Sequence, residues 1–82
     1  MRLNPPNAIR VAILYRAWAT TQRTELWEAL GKFLFDLAAE KGGWKEVHQL
    51  CADCLPRIPI HHIAAAFTDH KNRALMQLIH LN

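Results

Sequence analysis

The chain has 82 residues, ten Lys and Arg against seven Asp and Glu, and no serine. A chain of that length is one domain, burying only about 60% of its unfolded surface, which leaves little room for both a core and a deep cleft. The missing serine excludes a Ser nucleophile, and the apolar fraction of 51% lies slightly above the usual ~45–50%.

No apolar run approaches the ~18–20 residues of a membrane span, the longest stretches being Val11–Tyr15 and Ile63–Phe67. Met1-Arg2-Leu3, followed by Asn4-Pro5-Pro6, does not read as a signal peptide, since Arg10 and Arg16 interrupt the apolar region. Two cysteines three positions apart are no disulfide framework. The expected setting is the reduced cytoplasm, without membrane contact.

The net charge of +3 is segregated: +4 over residues 1–23, −3 over 24–55 and +2 over 56–82, with four of the five histidines in the last segment. Packing of the basic first segment beside the acidic second explains this most simply. An electrostatically steered partner and a nucleic-acid surface are the functional readings.

Periodicity is helical throughout, so the predicted fold is all-α, a compact single-domain bundle of four to five short helices over residues 1–82. Asn4, with Pro5 in the first turn, or Asn7 caps a first helix running to about Thr20. Val11, Leu14, Tyr15 and Trp18 form its core stripe, and Ile9 and Ile13 lie nearly opposite, flanked by Arg10 and Arg16. A helix apolar on two sides is expected to be central and buried on both. Otherwise the Ile9/Ile13 face is a partner or dimer interface rimmed by arginine.

Thr24 is the expected cap of the second helix, which ends at Gly42-Gly43. Leu26, Leu30, Phe33, Leu34 and Leu37 form its stripe; Glu25, Glu28, Lys32, Asp36 and Glu40 form its solvent side, with Glu28–Lys32 as an i,i+4 pair. Phe35 breaks the pattern by falling on that polar side. It is covered by the N-terminal segment or offered to a partner.

The third helix runs from Trp44 and stops before Pro56, its apolar arc being Trp44, Val47, Leu50, Cys51, Cys54 and Leu55. The Cys51-Ala52-Asp53-Cys54 spacing, with His48 before it and His61 or His62 after, invites comparison with a zinc site. The pair lies mid-helix, however, no second C-x-x-C exists, and the core arc claims both cysteines, so core packing is expected. No cofactor motif, paired carboxylates, phosphate loop or activated nucleophile appears, and no enzymatic activity is expected.

Arg57-Ile58-Pro59 is a connector. Two short helices are predicted beyond it, Ile60–Phe67 and His70–Leu81, divided at Thr68-Asp69 with Asp69 as cap. They have the size of a helix-turn-helix. Ala74, Leu75, Leu78, Ile79 and Leu81 would be buried. Lys71, Asn72, Arg73 and Gln77 would supply DNA contacts, with Met76 and His80 also outward. His61 and His62 would be solvated surface groups.

Two functions follow as expectations. The leading one is a non-enzymatic protein-binding module, an adaptor or inhibitor acting by surface occlusion, of a kind often encoded by phages or plasmids. Its contacts would be Ile9, Ile13, Arg16 and Phe35, with Arg10 and Arg23 on the rim. The alternative is a small helix-turn-helix DNA-binding regulator that dimerises through the first helix.

Overall fold

A computed structural model describes residues 4–81, with the side chain of Leu81 excepted; the signal-peptide reading of Met1-Arg2-Leu3 and the burial expected of Leu81 lie outside it. The chain forms four helices: α1 (Pro5–Thr21), α2 (Thr24–Lys41), α3 (Trp44–Cys54) and α4 (Ile60–Leu81).

Helix α1 begins as the sequence suggests. The Asn4 side chain accepts the Asn7 backbone N–H at 3.0 Å, and the two prolines occupy the first turn, where their missing N–H groups leave no bond unmade. The helix closes at Gln22, a left-handed residue at φ 57° whose N–H returns to the Trp18 carbonyl. Two residues later the chain is helical again and folded back on itself. Trp18 meets Trp27 at 4.5 Å beside the turn, and Arg10 sits 4.8 Å over the Phe33 ring further along. Thr24 is the first helical residue rather than the cap. Arg23 holds that position and makes no side-chain capping bond.

Helix α2 ends on Gly42 at φ 94°, a conformation glycine adopts without a Cβ penalty, and both glycine N–H groups return to the Ala38 carbonyl. Helix α3 stops at Cys54, as Pro56 requires, and Ile58 in the connector is buried.

The central helix is α2, which packs against all three others. The expectation that α1 holds this place is overturned, because Ile9 and Ile13 are exposed. Helix α2 can serve three neighbours because it carries two inward stripes. Leu30, Leu34 and Leu37 are buried, each contributing roughly 1.5–3 kcal/mol. A second row of Trp27, Gly31, Phe35 and Ala38, at i, i+4, i+8 and i+11, runs beside them. At Gly31 α4 comes so close that a Cβ would collide with the Ala66 carbonyl oxygen and press on His70 Cβ at 3.0 Å.

Phe35 therefore belongs to this packing, stacked 5.9 Å from Phe67 and 5.1 Å from His70. Helix α4, rather than the N-terminal segment, packs on it and leaves it half-buried. Phe67 in turn stacks 4.2 Å from Trp44, which carries the contact through to α3.

The largest departure from expectation is α4. No break occurs at Thr68-Asp69, and residues 60–81 form one helix of 22 residues, about 33 Å long. Threonine and aspartate are weak helix formers, but each costs only about 0.5–0.7 kcal/mol relative to alanine. No glycine or proline lies between Ile60 and Leu81, and Asp69 is held in mid-helix by accepting the Trp27 indole N–H at 2.8 Å. The two-helix arrangement predicted for this segment is absent.

Candidate protein-binding surfaces

Helix α1 presents the first candidate surface. Its inner side buries Val11, Ala12 and Tyr15. Its outer side carries Ile9, Ile13 and Arg16 at i, i+4 and i+7, one straight row on a helix, and the two isoleucines are 57% and 61% exposed. Arg10 lies on the flank, its guanidinium over Phe33 in a cation–π contact. Arg16 lines a shallow recess of about 250 Å³ with Cys54, Leu55, Pro56, Arg57 and Ile58, so two arginines border its apolar floor. Arg23 stands apart at the α1–α2 turn, paired with Glu25 at 3.1 Å.

The second surface is the end of α4, where the expected orientation is reversed. Leu75, Leu78 and Ile79, read from the sequence as buried, are exposed together with Met76. The side that faces α2 carries His70, Arg73, Ala74 and Gln77, which with Glu25, Glu28, Ala29 and Lys32 line a recess of about 420 Å³. Arg73 bonds Glu28 at 2.8 Å, and this pairing takes the place of the predicted Glu28–Lys32 contact; Lys32 instead meets Asp36 at 3.1 Å. The four residues proposed for DNA contacts do not form one face. Arg73 and Gln77 border the recess, whereas Lys71 and Asn72 are exposed on the apolar side.

Between the two surfaces lies an aromatic cluster that the sequence reading missed. Tyr15 and Trp18 of α1, Trp27 of α2 and His62 of α4 pack together, with Tyr15 6.0 Å from Trp18 and His62 5.7 Å from Tyr15. The Tyr15 hydroxyl and His62 Nδ1 are 2.7 Å apart. His61 is exposed as expected; His62 is half-buried and serves as a link between helices. The available signal was that Tyr15 and Trp18 share the core stripe of α1, since a buried tyrosine hydroxyl usually finds a polar partner.

The cysteine pair is part of the α3 core arc. Cys51 is buried beside Val47 and Leu50, and Cys54 is half-buried against the same cluster. Burial pushes the Cys51 thiol from 9.0 up to about 11, with the neighbouring Cys54 adding to the rise. A thiol held protonated in this way is a poor nucleophile at neutral pH. His48 packs edge-on against Trp44 at 5.6 Å, and among the described residues no cluster of three or more His, Cys, Asp or Glu is placed to hold a metal ion.

None of the described helices is long and apolar enough to cross a membrane. Comparison with known proteins found no matching family model, curated relative or solved structure.

Proposed function

We propose that the protein is a non-enzymatic helical binding module that acts by covering a surface of another protein with the outer face of α1. The observation that carries this reading is the exposed row Ile9–Ile13–Arg16 on a helix whose opposite side already supplies the core. An apolar ridge flanked by Arg10 and continued by Arg16 has the composition of an interface, where arginine flanks a desolvated centre. The complementary partner surface is an apolar groove edged with carboxylates, and the +4 charge of residues 1–23 speeds its encounter. Adaptor and inhibitor are both consistent with such occlusion.

The experiment is affinity capture from lysate of the source cells, repeated with Ile13→Glu and Arg16→Glu. A specific partner should be retained by the wild type and lost by Ile13→Glu, with helical content unchanged. A partner held equally by both variants would refute the α1 surface. Retention on duplex DNA at low salt, lost with Lys71→Glu, would favour the DNA-binding alternative instead.

A further inference from the structure

Three of the described arginines are engaged within the fold: Arg10 over the Phe33 ring, Arg23 with Glu25, and Arg73 with Glu28. Arg16 and Arg57 have no ion pair or ring contact among the described residues, and these two line the same recess of about 250 Å³. One comes from α1 and the other from the connector between α3 and α4, so only the tertiary fold brings them together.

Two like charges that share a recess repel, and the rest of the lining, Cys54, Leu55, Pro56 and Ile58, offers no carboxylate to offset them. Asp53, the acid nearest to Arg57 in sequence, bonds Gln49 at 3.1 Å among exposed residues of α3. The last carbonyls of α3 contribute only about half a negative charge at this end, against two guanidinium groups. The recess is therefore cationic with an apolar floor.

We propose that it takes an acidic peptide segment of the partner, with one carboxylate between Arg16 and Arg57 and the adjoining apolar side chain on Leu55, Pro56 and Ile58. Guanidinium groups present planar, paired N–H donors that match a carboxylate. The floor is preformed: the Leu55 N–H donates to the Cys51 carbonyl at 2.9 Å and the Ile58 N–H to the Leu55 carbonyl at 3.1 Å. Ile58 is itself buried, so little freedom is lost when a segment settles there. A volume of about 250 Å³ falls below the ~300–1,000 Å³ of sites that enclose a drug-sized molecule. The recess thus holds one or two side chains of a ligand that continues outside it. A nucleic-acid strand would satisfy the arginines with phosphates but carries no aliphatic side chain for the floor. This contact rests on the reading of the protein as a protein-binding module and adds to it a site apart from Ile9 and Ile13, which do not line the recess.

An amide-resolved NMR titration of the full chain tests it, with acetyl-leucyl-glutamic acid amide as probe and the glutamine counterpart as its uncharged match. The acidic dipeptide should shift the Leu55, Arg57 and Ile58 amides with a dissociation constant of roughly 1–10 mM, the range of a fragment. The glutamine dipeptide should bind several-fold more weakly, and added salt should weaken the acidic one. Arg16→Gln and Arg57→Gln should each lower its affinity several-fold with unchanged circular dichroism. Lys45→Gln, the same loss of charge elsewhere on the surface, should not. Absent shifts, equal binding of the two dipeptides, or binding that neither arginine variant weakens overturns the proposal. Inorganic phosphate that matches the acidic dipeptide overturns the role of the floor, and an oligothymidylate that shifts the same amides at lower concentration assigns the recess to nucleic acid instead. Capture of a partner that Ile13→Glu abolishes and Arg57→Gln leaves intact would retain the α1 surface and remove the recess from the interface. Dipeptide binding at the recess, with capture indifferent to Ile13→Glu, would do the reverse.

Discussion

The Tyr15 hydroxyl lies 2.7 Å from Nδ1 of His62, joining the core stripe of α1 to the start of α4 across 47 positions of sequence. These helices otherwise meet through the same few rings, with Trp18 packed 6.0 Å from His62. The contact therefore bears on how firmly α1 is held while its outer face engages a partner.

A hydrogen bond in a half-buried aromatic setting contributes roughly 0.5–1.5 kcal/mol net. Tyr15→Phe, which keeps the ring and removes the hydroxyl, should lower stability by about 1 kcal/mol in urea titration. Combined with His62→Phe, the two losses should be non-additive by a similar amount, because each variant removes the same bond. Strict additivity would show that the pair contributes no coupling.

Gly31 should behave opposite to its helix propensity. Replacing an exposed mid-helix glycine with alanine stabilises by about 1 kcal/mol. At Gly31 the added methyl meets the backbone of Ala66 and the His70 Cβ, neither of which is a flexible chain end. Gly31→Ala should therefore destabilise by roughly 1–3 kcal/mol, through displacement of α4 from α2. Thermal denaturation decides the sign.

The buried Cys51 thiol gives stability a defined dependence on alkaline pH. Its folded pKa of about 11 lies above the reference value of 9.0, so the folded chain keeps the proton more tightly than the unfolded chain does. The stability associated with this group is complete below pH 9.0 and is lost as pH rises through about 11. The full effect is of the order of 2–3 kcal/mol. Cys51→Ala should lower stability near neutral pH by removing core volume, yet decline less steeply between those limits. Parallel decline of the two proteins in pH-resolved denaturant titrations would contradict this assignment.

Much of the architecture was legible along the chain because its causes are local. Asn4 and the two prolines start α1, Gly42-Gly43 end α2, and Pro56 ends α3, each through its own backbone requirements. The arc of α3 was legible for the same reason: one face meets the core and the other meets water. Local reading failed where a helix meets more than one neighbour. Phe35 looked misplaced on a single-stripe projection, and only the position of α4 shows that Trp27, Gly31, Phe35 and Ala38 form a second inward row. A glycine in mid-helix, costly without a tertiary reason, was the one sequence signal of that close approach.

The sequence by itself determined that this is a small helical protein with more apolar surface than a single core obviously needs, and with no arrangement of residues that announces catalysis. Those properties follow from composition and from the 3.6-residue period. Tertiary structure decided where the surplus lies. Packing made α2 the centre and left Ile9 and Ile13 on the outside of α1. Beyond the buried Ile63, Ala66 and Phe67, the ion pair of Arg73 with Glu28 and the bond from Trp27 to Asp69 accompany a continuous α4 whose last turns set their polar side towards α2. A helical projection ranks the faces of one helix by hydropathy alone. It contains nothing of the neighbouring helix, whose charges and close approach here outweighed that ranking.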